Sequence, residues 1–152
     1  MRSSWRAFRQ DRPTKAGIKP ERYGEASVER SLSVAENMLT AFGDLSAMFA
    51  SNESSTVGAA QALKARQSKV KLVGFDAGPT LEADLRAGVI DSLVVQHPFR
   101  MGYDSVISAV RHLKGEKLEK IQNLAPRLVT RADLDNPEVQ AQLNPDLKQY
   151  LN

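Results

Sequence analysis

The feature that most constrains this chain is an alternation. Between residues 45 and 96, short runs of β-forming residues take turns with stretches of helical spacing. The runs are "LSAMFAS" (45–51), "VKLVGF" (70–75) and "VIDSLVVQ" (89–96). Ser54 or Ser55 is read as the cap of a helix carrying Val57, Ala60 and Leu63 to about Gln67, and Pro79 and Thr80 as the start of one that runs to about Ala87 and stops at Gly88. Strands that alternate with helices form βαβ units, and βαβ units form a parallel sheet with helices on its faces. The strands are nearly continuous in apolar residues, which fits burial on both faces. The fold class expected is therefore α/β, an open, mostly parallel sheet with flanking helices.

The flanks of this centre read less sharply. Trp5 and Phe8 stand three residues apart in a short amphipathic stretch, Ser3 to Arg12, that stops before Pro13. Gly17 closes it, and "AGIKPERYG" follows as a weak, proline-interrupted strand. Ser27 is placed to cap a helix bearing Val28, Leu32, Ala35, Leu39 and Phe42, ended by Gly43. A longer helix is expected from about Arg100 to Leu113, with Val106, Val110 and Leu113 on one face, and "PRLVT" (126–130) as the last strand. The tail, about 132–152, has two Asn-Pro breaks and reads as short helical turns.

Length and composition set outer limits. At 152 residues the chain fits a single domain, 1–152, with room for a core. It has no cysteine, which excludes disulfides and thiolate metal sites. Two histidines, His97 and His112, are too few for a zinc cluster, and no metal or cofactor is expected. The net charge of +3 is uneven: Arg2, Arg6, Arg9, Arg12, Lys15, Lys19 and Arg22 crowd the start, opposed by Asp11 and Glu21. Such a cluster can meet anionic partners, but a solvated face is the plainer reading, and no nucleic-acid partner is expected. The basic start is not followed by the apolar stretch of a signal peptide.

The candidate site lies where strands end. Ligands of an open parallel sheet bind beyond the carboxyl ends of its strands. Three successive strands here end in a polar side chain: Asn52, Asp76 and Gln96. Their separations of 24 and 20 residues are each about one βα repeat, so all three fall on one rim. A carboxylate accepts two hydroxyl protons, and each amide both donates and accepts, a set suited to the vicinal hydroxyls of a sugar. Asp76 and Asn52 have a competing role as helix caps. Nothing in the sequence assembles a nucleophile, base and orienting group, or a second close carboxylate for glycoside cleavage, so the expected function is binding rather than catalysis. Gly74, Gly78 and Gly88 form no phosphate-binding loop.

"DLSAMFASNESSTVGAAQALKA", "VKLVGFDAG", "LRAGVIDSLVVQHPFRMGYDSVISAVRHLKGE" and "LVTRADLDNPEVQ", in this order and spacing, resemble the C-terminal lobe of the type I periplasmic sugar-binding proteins, the ribose-binding group of ABC-transporter solute receptors. The resemblance implies a periplasmic-binding-protein-like I lobe, a monosaccharide ligand held by Asn52, Asp76 and Gln96, an ABC-transporter permease as partner, and a periplasmic setting. It also implies that the helix at about 100–114 crosses to a first lobe. By that comparison the chain is expected to be a truncated receptor whose uncovered helix face favours a homodimer. Two positions depart from the family pattern: Ser4 stands where an arginine is common, and Ala26 where an aromatic ring is common. A lactose-repressor-like effector domain shares the fold but needs a helix-turn-helix headpiece; a non-binding oligomeric remnant is the other alternative.

Overall fold

A computed structural model describes Gly17 and residues 19–149. The stretch with Trp5 and Phe8, the position of Ser4 and most of the basic cluster lie outside the described residues. Of that cluster, Lys19 bonds Asp44 at 2.9 Å and lies 5.4 Å from the centre of the Phe42 ring.

The elements in order are α1 (Val28–Ala41), β1 (Ala47–Phe49), α2 (Glu53–Ala65), β2 (Lys71–Phe75), α3 (Pro79–Arg86), β3 (Ser92–Val95), α4 (Pro98–Leu113), β4 (Arg127–Thr130), a 3₁₀ turn (Arg131–Asp133), α5 (Pro137–Leu143) and a last 3₁₀ turn (Leu147–Gln149). The strands lie in sequence order in one sheet, with β1, β2 and β3 parallel and β4 antiparallel to β3. The mostly parallel α/β sheet is as the alternation predicts. The strands are shorter than their apolar runs, and the weak strand expected after Gly17 is absent among the described residues.

Local chemistry explains the helix ends. Ser27 caps α1 through a bond from the Arg30 amide, as its position predicts. The cap of α2 is Asn52, whose side-chain oxygen accepts from the Ser55 amide at 2.8 Å, in place of Ser54 or Ser55. α3 opens on Pro79, whose missing N–H costs nothing at the first turn. α4 likewise opens on Pro98, two residues ahead of Arg100.

The sheet is covered more on one face than on the other. Met48, Leu72, Leu93 and Val129 are buried, and they pack with Ala59, Ala60, Ala62 and Leu63 of α2 and Leu81 and Leu85 of α3. Crossovers of one hand that advance in one direction along a sheet bring their helices to the same face. The alternate residues behave differently. Phe49 and Leu128 are exposed, and Val73, Phe75 and Val94 are half-buried. Burial on both faces, expected from the continuous apolar runs, therefore does not hold for the described residues. A two-residue period says which side chains share a face, and it leaves open what covers each face.

α1 and α2 pack closely on each other. A Cβ built on Gly58 would stand 2.7 Å from the Leu32 nitrogen, the Val28 carbonyl oxygen and the Ser31 Cβ. Two of these are backbone atoms, so the helices would have to separate. Gly58→Ala is expected to destabilise the fold by about 1–3 kcal/mol, the usual range for overpacking. Gly43→Ala, with no atom within 4 Å of its built Cβ, is expected to cost far less. Urea denaturation of the two variants beside the parent measures the contrast, and equal midpoints would refute the packing account.

Candidate functional site

The rim is assembled by backbone geometry at the carboxyl ends of β1, β2 and β3. β2 and β3 run parallel with Phe75 opposite Val94, and the Asp76 amide continues the ladder by donating to the Val94 carbonyl at 3.0 Å. Asp76 and Gln96 thus emerge side by side. The Gln96 Nε2 stands 3.5 Å from the Asp76 Oδ1, a long contact that leaves both groups with unused hydrogen-bonding capacity. Both residues are half-buried.

Asp76 has a left-handed backbone, φ 69°. Residues other than glycine rarely adopt this conformation, and aspartate and asparagine tolerate it best. α3 begins three residues on, at Pro79. That helix is capped at Gly78 with no side-chain bond, so Asp76 does not fill the capping role open to it in the sequence. Asn52 does fill its own: Oδ1 accepts from the Ser55 amide, and the amide nitrogen keeps its donors for a ligand. Two of the three candidate residues touch each other, and the third joins them through the framework.

That framework is Thr56, which the sequence reading missed. Its hydroxyl donates to the Asn52 carbonyl at 2.8 Å and accepts from the Phe75 amide at 3.1 Å. β1 has ended at this level, so the hydroxyl takes the place of the next rung of the ladder. Gly74 permits the approach, because a Cβ there would stand 2.3 Å from the Thr56 Cγ2. A threonine four residues after the capping asparagine is the only signal in the sequence. The Gln96 backbone is held by a second residue that was missed: Gln142 Nε2 donates to the Gln96 carbonyl at 3.0 Å, across 46 residues of chain. His97 caps α4 through a 3.4 Å bond from the Arg100 amide to Nδ1.

Two clefts flank the sheet. One of about 400 Å³ lies beside the rim, lined by His97, Phe99, Arg100, Tyr103 and Asp104. The other, about 490 Å³, lies at the amino-terminal ends of β2 and β3, away from Asp76 and Gln96, and holds Lys64, Lys69 and Lys71. Among the described residues no three histidine, aspartate or glutamate side chains gather to hold a metal ion. No described helix is long and apolar enough to cross a membrane.

The architecture is a mostly parallel sheet with a polar rim at the carboxyl ends of its parallel strands, and comparison with known proteins gives it a family. Residues 5–117 match the model of the periplasmic binding protein domain, and the chain belongs to that family. It is 38% identical over 90 residues to the ribose import binding protein of Haemophilus influenzae, covering 59% of this chain and 31% of that protein. It is 36% identical over 103 residues to the corresponding Escherichia coli protein, covering 67% and 35%. Among solved structures, an ABC transporter solute-binding protein from Agrobacterium vitis with bound D-fucose superposes with a TM-score of 0.81 at 28% identity, over 86% of this chain and 46% of that one. A carbohydrate transporter solute-binding protein from Agrobacterium radiobacter in complex with D-arabinose gives a TM-score of 0.76 at 35% identity, over 80% and 42%. The chain spans about a third of the length of the curated relatives it matches.

The Thr56 junction has a direct test. Thr56→Val keeps the shape and removes the hydroxyl, leaving the buried Phe75 amide without its acceptor. The expected cost is about 1–3 kcal/mol in thermal or chemical unfolding. The Phe75 amide should exchange with solvent faster than its β2 neighbours. Unchanged protection at Phe75 would show that the hydroxyl is not the rung.

Proposed function

We infer that this chain contacts a monosaccharide through Asp76 and Gln96, with the Asn52 amide nitrogen as a third contact, and that it binds without chemistry as part of a solute receptor of a sugar ABC transporter. The observation that carries this reading is the Asp76–Gln96 pair. A half-buried carboxylate leaves a strand end in left-handed geometry, free of any capping duty, 3.5 Å from an amide on the adjacent parallel strand. The pair offers acceptors and donors at a spacing suited to neighbouring hydroxyls. The relatives add support: those compared above are named for ribose import or were solved with D-fucose or D-arabinose. In this reading the partner is a transporter permease and the setting is the periplasm. The uncovered apolar face of α4 makes self-association part of the same proposal.

The rim as described is open on the side away from the sheet. A site that leaves much of a sugar in water makes fewer contacts than an enclosed one, and each 1.4 kcal/mol lost is about a tenfold loss of affinity. The chain alone is therefore expected to bind pentoses and hexoses at millimolar concentration. Calorimetry against D-ribose, D-arabinose and D-fucose tests this, and a micromolar constant would contradict it. Asp76→Ala should abolish the heat. Asp76→Asn, which suits the same backbone, should retain the fold while losing most of the binding. Unchanged affinity in both variants would remove Asp76 from the site.

A further inference from the structure

β3 ends at Val95, so Gln96 stands just beyond the ladder that holds its neighbours. The register brings Gln96 alongside Asp76 and leaves open how the Gln96 peptide is turned. The bonds between two parallel strands recur every second residue, and the last of them here runs from the Asp76 amide to the Val94 carbonyl at 3.0 Å. The next in register would run from the Gly78 amide to the Gln96 carbonyl. Gly78 has left the sheet by then, because the chain turns left-handed at Asp76 and Gly78 is the N-cap of α3. On the other side Val95 is opposite Arg127, which puts Pro126 opposite Gln96, and a proline has no amide hydrogen to give. Neither neighbouring strand supplies the Gln96 carbonyl with a donor.

The donor comes from α5. Gln142 Nε2 meets the Gln96 carbonyl at 3.0 Å, and only the nitrogen end of an amide can pair with a carbonyl. α5 is itself anchored. Val139, Gln142 and Leu143 are three and four residues apart, on one face of the helix. Val139 is buried and Leu143 packs against the core, so the face that carries Gln142 is turned to the protein. Asn136 caps the helix through the Glu138 amide at 2.8 Å, and Gln140 Nε2 donates to the Leu134 carbonyl at 2.6 Å. At the other end Asn144 stands 3.5 Å from both carboxylate oxygens of Glu82 in α3, the helix that follows Asp76. The contact between the Gln96 and Asp76 side chains is long and steers weakly, so the Gln96 side chain takes its direction from its backbone.

We propose that Gln142 is a positioning residue of the candidate site. By holding the Gln96 carbonyl it fixes the peptide from which the Gln96 side chain reaches toward Asp76, and with it the spacing of the pair that meets the sugar. The effect on sugar binding rests on the reading above; the dependence of the Gln96 side chain on Gln142 does not.

NMR on the full chain tests both parts. The Gln96 side-chain amide should show the high heteronuclear NOE of an ordered group. Gln142→Met and Gln142→Glu, which have no donor at neutral pH, should lower it. The Asn52 side-chain amide, held by its own cap, should keep its value in both variants, and Gln142→Lys, which keeps a donor, should restore most of the order at Gln96. An unchanged Gln96 signal in the Met and Glu variants overturns the proposal. So does an equal loss at Gln96 and Asn52, which is general loosening rather than positioning. In titrations with D-ribose, D-arabinose and D-fucose, Gln142→Met should weaken binding about three- to tenfold, the loss of one hydrogen bond. That loss should vanish in a Gln96→Ala background, where the carbonyl that Gln142 holds remains and the side chain that it places is gone. The same loss in both backgrounds would make Gln142 a structural residue only. A parent chain that binds none of the three sugars ends the sugar reading, and the Gln96 NOE then decides the positioning role alone.

Discussion

The close approach of α2 to β2 at Gly74 and Thr56 is the contact on which the rest of the structure depends. It lets one hydroxyl serve two backbone groups, the Asn52 carbonyl and the Phe75 amide, at the level where β1 has run out. Thr56 is fully buried, and leaving the Phe75 amide without its acceptor would carry a desolvation penalty, whereas the Asn52 carbonyl also accepts from the Thr56 amide at 2.9 Å. The same contact sets the height at which α2 begins and the point at which β2 turns. The residues after β1 and the end of β2, Asn52 and Phe75, are tied together by it.

The site shows how a parallel sheet makes a polar rim cheaply. The backbone of β2 and β3 carries Asp76 and Gln96 to adjacent positions with no side chain needed to steer them. Asp76 is left-handed at the turn and makes no capping bond to α3. Such a backbone is sparsely populated and persists where the surroundings hold it. Here the ladder bond to Val94 holds one side, and the Gln142 bond to the Gln96 carbonyl steadies the neighbouring strand. Asn52 caps α2 through Oδ1, which commits part of its accepting capacity to the helix. The rim is therefore richer in acceptor at Asp76 than in any other single group.

α4 is built on a different principle from the helices of the core. α2 has alanine and glycine on its buried side and lies against the sheet, whereas α4 has larger apolar residues and no buried one. Its fixed start at Pro98, directly after the rim, makes the helix an extension of the site edge rather than a cover for the sheet. The candidate rim and the exposed apolar face of α4 are in this way neighbours on one short stretch of chain, 96–113.

The sequence by itself determined the alternation, the order of elements and the three strand-end residues, because these follow from local periodicity and from the length of one βα repeat. It also carried the amphipathic character of α4, which is a property of spacing alone. It could not say which of Asp76 and Asn52 caps a helix: the spacing is alike in both, and in the fold Asn52 makes the capping bond while Asp76 makes none. Nor could it reveal Thr56 or Gln142, whose partners lie 19 and 46 residues away and meet only when the sheet forms. The uneven cover of the sheet was equally illegible, since continuous apolar strands look the same whether one face is packed or two. Periodicity is written along the chain, while the neighbours of a face, the direction of a carboxylate and the closeness of two backbones are decided by what the folded chain brings alongside.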